Sequence, residues 1–452
     1  MNSRLLLTIG VLLFLIGGTY VAIKWAQGYR LNLEKQAIEG TGLLVANSEP
    51  KGATIYINDK LTSATDDTLH LSPGKYKIKL EKDGYHTWEK VVKIEKELVA
   101  QTNARLFPAV PNLSALTVNG AFNPTPSPDG YKIAFKIASG SAITKHGIWV
   151  LNLNESLLRG TNAIQVIQDT ETLQFTKATL YWSPNSNEIL AYFNENQAYL
   201  LSASSQNKST NLVNVAFQLP MIVSEWEQQL VLEREKRLTK LPQEMQKVAT
   251  TSATLLYFSP NEEKLLYTAT QSATIPDNLI PPLPAINSQA QTRTLTPGSI
   301  YVYDIKEDTN YLIRENAFDK PTLEKIIADY ALPEDTEVAT LPATALPTLT
   351  PSPRRESAKP LPAQLNAIHA QYSPVYSLKY LQWFPSSNHL IFIENNGIGI
   401  MEYDGTNKIT VFPGIFAENF TYPWPNGQKL VLLTSLTTNP EVMVNFYSLN
   451  LQ

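Results

Sequence analysis

The residues able to do chemistry in this chain are scattered rather than grouped. Its 5 histidines, His70, His86, His146, His369 and His389, stand singly, with no second His or Glu at a zinc-binding spacing. No Gly-x-Ser-x-Gly elbow and no phosphate-cradling Gly-Lys-Ser/Thr loop occurs. Ser205 to Lys208 spells Ser-x-x-Lys, but it lies in a polar stretch and lacks the companion motifs of an acyl-serine enzyme, so chance explains it. Asp304 to Glu315 carries carboxylates at the first, fifth and twelfth places of a calcium loop. Lys306 and Thr309, however, stand where an oxygen ligand and a glycine are needed, and the segment reads as a turn between two strands. With 0 Cys, disulfides, thiolate nucleophiles and zinc-thiolate sites are excluded together. No catalytic, cofactor or metal residue is assigned. A net charge of -4 without a basic stripe outside one helical segment gives no basis for nucleic acid as a partner.

The scaffold speaks more clearly. At 452 residues the chain exceeds one ordinary core, so two or three structural units are expected. Hydrophobic residues at 43% and charged residues at 17%, with many Tyr, Thr, Asn and Pro, favour strands and turns. A Pro turn followed by an apolar run recurs at Ser127-Pro128-Asp129-Gly130, Ser183-Pro184-Asn185, Ser259-Pro260-Asn261, Phe384-Pro385-Ser386 and Trp424-Pro425-Asn426. Each copy has a second apolar strand downstream, such as Gly147 to Asn152, Ser299 to Ile305 and Gly397 to Asp404. A turn, a strand, a loop and an aromatic-rich strand are the parts of a propeller blade. The pattern resembles TolB-type and WD-repeat-like propellers, whose blades carry a similar Trp-Ser-Pro-Asp-Gly-x-x-Ile sequence, and it covers residues 112–452. The motif prolines are irregularly spaced: five blades are visible, two wide gaps must hold insertions or degenerate blades, and six or seven blades are expected in all.

Toward the N-terminus, residues 5–23 are uncharged and apolar, long enough to cross a bilayer, with Tyr20 and Trp25 at interfacial positions. No small-x-small cleavage site follows, so an uncleaved anchor is expected, with residues 1–4 as a cytoplasmic stub and 24–40 as a polar stalk. The long C-terminal part is then outside the cytoplasm.

The next segment alternates charged and apolar residues at Lys75-Tyr76-Lys77-Ile78-Lys79-Leu80-Glu81, the period of a half-buried strand. Around it stand Pro50-Lys51-Gly52-Ala53, Pro73-Gly74-Lys75-Tyr76 and Gly84-Tyr85. This order resembles the PEGA domain, a small β-sandwich-like module of prokaryotic surface proteins, over residues 41–107. Lys51 replaces the family's usual Glu, and Ser63-Ala64-Thr65-Asp66-Asp67 stands where the family commonly has a Gly-x-Thr-Pro turn. The resemblance implies location and architecture rather than an activity.

Two insertions interrupt the repeats. Residues 224–249 read as two helices, with Ser224 and Glu227 as a capping box and Pro242 in the first turn of the second. Trp226, Leu230, Leu238 and Leu241 form an apolar stripe, which either docks on a blade or meets a partner. Trp226, Leu230, Arg234 and Arg237 are the candidate partner contacts. Residues 332–362 are rich in proline and polar residues, and predict an extended loop.

The fold class expected is therefore all-β: a transmembrane helix, a PEGA-type β-sandwich and a propeller carrying a helical insertion and a proline-rich loop. The leading functional expectation is a membrane-anchored extracytoplasmic binding or scaffold protein without catalysis or cofactor. Its partners are the lipid bilayer, through residues 5–23, and an envelope protein or polysaccharide. The alternatives are an envelope enzyme acting on glycan or peptide in the propeller channel, and a structural subunit of an envelope assembly.

Overall fold

A computed structural model describes residues 3–26, 29–32, 37–138, 142–154, 163–281, 283, 287–330, 360–372, 378, 380–394, 397–435 and 443–452. The chain divides into one unit of residues 1–110, 280–291 and 452, and a second of residues 111–279 and 292–451.

The first unit begins with α1 (Ser3–Ala26). Its stretch Leu7–Ala26 is long and apolar enough to cross a membrane and is not buried against protein. The expected stalk instead contains an antiparallel pair, Tyr29–Asn32 with Ala37–Gly40. Two sheets follow. Lys60–Ala64, Thr54–Ile57, Gly74–Glu81 and Trp88–Ile94 make a four-stranded one, and Val99–Gln101, Gly42–Ala46 and Asp67–Leu71 a three-stranded one. The alternation read in residues 75–81 is realised: Ile78 and Leu80 face a common core with Leu44, Ile55 and Trp88. Lysines and glutamates take the other face, where Lys79 pairs with Glu81 at 2.9 Å. The departure from the family turn is internally bonded. Thr65 Oγ1 accepts from the Ala53 N–H at 2.9 Å, and Asp66 pairs with Lys51 at 3.0 Å. Residues 280–291 group with this unit, Ser288 Oγ donating to the Val91 carbonyl at 2.9 Å.

In the second unit the repeats form antiparallel blades. The first is Phe122–Pro126, Lys132–Ile137, Gly147–Asn152 and Ala163–Gln168; the second is Thr179–Trp182, Glu188–Asn194 and Gln197–Ser202. Ala253–Phe258, Lys264–Ala269, Ile300–Asp304 and Thr309–Arg314 make the third, and Gln382–Trp383, His389–Glu394, Gly397–Glu402 and Ile409–Phe412 the fourth. The fifth joins Thr421–Pro423, Lys429–Thr434 and Asn445–Asn450 to Leu113–Ala115, so the unit's first strand completes its last sheet. Asp304 to Glu315 is the hairpin between two blade strands.

Where six or seven blades are expected, the described residues of this unit form these five sheets of three or four strands and one two-stranded pair, Ala273–Thr274 with Thr294–Leu295. The wide gaps hold helices: α2 (Leu219–Leu238), α3 (Gln243–Thr251), α4 (Lys320–Tyr330) and α5 (Leu361–Tyr372). Helix α2 starts five residues before Ser224, because Pro220 supplies a preset first-turn φ, and Ser224 lies inside the helix rather than capping it. Helix α5 begins within the stretch expected to be an extended loop; residues 332–359 of that stretch lie outside the described residues.

Adjacent blades share apolar cores, the first with the second and with the fifth, the third with the fourth. Between the second and third blades the helices intervene. Leu219, Val223, Trp226 and Leu230 of α2 pack with Leu365 and Ile368 of α5 against Tyr181 and Leu190. Met245 and Val248 of α3 pack against Leu265, Tyr267 and Tyr303 of the third blade.

Candidate functional site

The repeated turn does structural chemistry. Ser127 Oγ accepts the Lys132 N–H at 3.0 Å, Ser183 Oγ that of Glu188 at 3.0 Å, and Ser259 Oγ that of Lys264 at 3.0 Å. The following Asp or Asn accepts from the backbone two residues on, so each hairpin satisfies its own polar groups. The turns also join neighbours. Trp182 Nε1 donates to the Thr125 carbonyl at 2.8 Å and the Asp129 N–H to Ser186 Oγ at 3.0 Å; between the third and fourth blades the same pair recurs as Trp383 Nε1 to Tyr257 O at 2.9 Å and Asn261 N–H to Ser387 Oγ at 3.1 Å.

The turns of the first three blades line a cavity of about 1090 Å³. Its wall is made by Pro126 to Tyr131, Pro184 to Ser186, Ala253 to Pro260 and Tyr422 of the blades, and by Leu230, Glu233, Arg234, Glu235 and Arg237 of α2, Ile327 and Tyr330 of α4, and Gln371 of α5. Gly130, at φ +78°, brings the backbone close to Tyr422, whose hydroxyl lies 3.2 Å from where a Cβ would stand. Burial, the nearby Tyr257 phenol and Asp129 push the Tyr422 hydroxyl's pKa far up, and burial pushes those of Tyr257 and Tyr330 to about 12. All three phenols are thus neutral hydrogen-bonding groups.

Most lining charges are already paired. Asp129 holds the Tyr131 N–H at 3.0 Å and faces Lys132 Nζ at 3.6 Å. Arg237 pairs with Glu262 at 3.1 Å and with Glu233 at 3.7 Å, and Lys240 closes on Glu262 from the other side. The Lys240 hydrogen bond, then the Arg237 guanidinium, hold the Glu262 carboxyl below the usual range.

Of the four candidate contacts, Trp226 and Leu230 are 6% exposed and belong to the core that seats α2 on the second blade. That burial corrects the expectation that they meet a partner at a surface. Arg234 and Arg237 line the cavity. The tyrosines escaped the sequence reading, although a signal existed: Tyr181, Tyr257 and Tyr422 each stand three residues before a motif proline. Tyr181 is the exception in place, its hydroxyl donating to Asn366 Oδ1 at 2.8 Å under α5. Ser205 and Lys208 lie in the loop after the second blade, Ser205 Oγ donating to Ser202 Oγ at 3.1 Å. No group of three or more His, Asp or Glu suited to a metal occurs among the described residues.

Residues 41–109 match the PEGA domain family. No curated protein matches the chain. Among solved structures, it is similar to a putative TolB from Agrobacterium tumefaciens (11% identity, 72% of this chain and 78% of that one, TM-score 0.20). TolB from Acinetobacter baumannii aligns over 83% of this chain and 59% of its own, at 11% identity and TM-score 0.20. An oligogalacturonate lyase from Vibrio parahaemolyticus aligns over 83% and 86%, at 6% identity and TM-score 0.23. Superpositions this loose carry no weight, and the blade architecture rests on the strand pairing itself.

Proposed function

We propose that this chain is a membrane-anchored, extracytoplasmic binding protein, in which α1 holds the bilayer, the PEGA domain serves as spacer, and the propeller receives an envelope protein or polymer without transforming it. The carrying observation is the cavity of about 1090 Å³, walled by blade turns and by the helical wedge. Cavities that mix apolar walls with a few convergent polar groups are where ligands bind. Binding rather than catalysis is favoured by the engagement of three of the four lining carboxylates: Asp129, Glu233 and Glu262 each stand in an ion pair, which leaves Glu235 as the lining carboxylate outside one among the described residues. The PEGA match at residues 41–109 supports the extracytoplasmic placement. The test is capture of envelope components on the full chain in nanodiscs, by pull-down from membranes and on an array of cell-wall glycans. Retention of one partner in either format supports the proposal, and silence in both overturns it.

The structural-subunit reading has one observation of its own. Met221 in the first turn of α2 is 58% exposed, and Phe217 in the 3-10 turn that leads into it and Val213 in the chain before that turn are 94% and 69% exposed. Exposed apolar residues grouped at the entry to α2 suit a docking face, and Phe217→Asp should then release an assembly partner while leaving cavity ligands bound.

A further inference from the structure

We infer that the propeller cavity binds a ligand through a free carboxylate, gripped by Arg234. This deepens the binding reading above and rests on it. Leu219, Val223, Trp226 and Leu230 mark the inward face of α2, all buried. The next position on that face, four residues on, is Arg234, where a leucine would continue the stripe. It is half-buried and lines the cavity. Among the described residues its guanidinium has no hydrogen bond or ion pair, and the adjacent Glu235 attracts it only through space. Arg237, one turn away, is saturated by Glu262 and Glu233. A guanidinium taken partly out of water without an acceptor carries an uncompensated desolvation cost, which an incoming carboxylate would offset in a bidentate pair. Tyr422 and Tyr330 on the same wall have hydroxyls without a hydrogen-bond partner among the described residues. They supply donors and aromatic faces for the body of the ligand, and the cavity's volume admits several residues or sugar rings rather than a lone anion.

The experiment measures binding to the full chain in nanodiscs by calorimetry. Four probes are used: trialanine, trialanine amide, digalacturonate and its methyl ester. The expected result is that one acid binds and its neutral derivative does not; which acid binds tells a peptide end from an acidic sugar. Arg234→Met should weaken that binding roughly ten- to a hundredfold, the worth of a charged hydrogen bond, and Arg234→Lys should fall between. An unchanged melting curve for Arg234→Lys excludes misfolding as the cause. Equal binding of acid and neutral derivative, binding unaffected by Arg234→Lys and Arg234→Met, or no binding of either acid overturns the inference. In each case a partner still captured from membranes leaves the broader binding reading standing.

Discussion

Three buried tryptophans at the blade turns, Trp182 and Trp383 two residues before the motif proline and Trp424 one residue before it, offer one substitution with opposite consequences. Trp182, Trp383 and Trp424 are 3%, 2% and 4% exposed, so each replaced by Phe loses similar bulk. Their indole N–H groups differ. Those of Trp182 and Trp383 donate to the preceding blade at 2.8 and 2.9 Å. Trp424, packed in the core shared by the fifth and first blades, has its Nε1 buried with no partner among the described residues. Trp383→Phe therefore pays a packing loss and about 1 kcal/mol for its hydrogen bond, whereas Trp424→Phe sets against the same packing loss the relief of about 1–3 kcal/mol from an unmet donor. Trp182→Phe should match Trp383→Phe, and Trp424→Phe should be more stable than both by roughly 2 kcal/mol or more. Equilibrium urea unfolding of the full chain, followed by tryptophan fluorescence and far-ultraviolet dichroism, measures the difference. Equal losses in all three variants, or the largest loss at Trp424, would refute the idea that the turn tryptophans act as polar clamps.

Burial in α5 pulls the His369 pKa from 6.5 to about 4. The unfolded chain then binds the proton first, so stability is lost as pH falls from 6.5 to 4, by at most about 3 kcal/mol; His369→Gln should flatten that part of the melting-temperature profile. Arg293 and Asp308 pair at 2.8 Å with 11% and 7% side-chain exposure, and Tyr303 donates to the same carboxylate at 2.8 Å. Asp308→Asn should cost about 1–3 kcal/mol, because Arg293 and the Tyr303 hydroxyl lose an ionised partner while Arg293 keeps Asp277 at 3.0 Å and the Ile275 and Asp308 carbonyls, and thermal unfolding measures the loss. Leu230→Ala should cost about 2–5 kcal/mol by the cavity it opens under α2, measured in urea. Deleting residues 224–249 should unfold the propeller outright, since Met245 and Ala249 leave with them, exposed at 0% and 1%; a native dichroism spectrum from that deletion would show the helices to be dispensable.

Local patterns were legible because each rests on a few neighbouring residues. The strand at Lys75 to Glu81 announces itself by charge alternation, and Pro50-Lys51-Gly52-Ala53 with Pro73-Gly74 locates the turns of the first domain. The blade turns were equally plain, since Ser, Pro and Asx each have a backbone reason to be there. Blade number was not. It depends on what fills the gaps, and Lys320 to Tyr330 and Leu361 to Tyr372 give only short helical signals beside proline-rich sequence. The cavity was illegible for a related reason. Tyr422, Arg234 and Asp129 are separated by whole blades in sequence, and only closure of the ring gathers them on one wall.

One residue links these levels. The position before the motif serine or its equivalent is Trp at 182 and 383, where a preceding blade offers a carbonyl, but Phe at 258. Phe258 packs in the core shared with Leu241, Met245 and Val248, on the side where helices stand in place of a blade. A side chain without an N–H suits a neighbour without a strand carbonyl to give, since an indole there would carry an unmet donor. The helical wedge is therefore written into the third blade's own turn as well as into α2 and α3. Phe258→Trp should destabilise the propeller by about 1–3 kcal/mol through that unmet N–H and the added bulk, and a gain in urea resistance from this variant would mean that a strand-like acceptor lies beside the third blade after all.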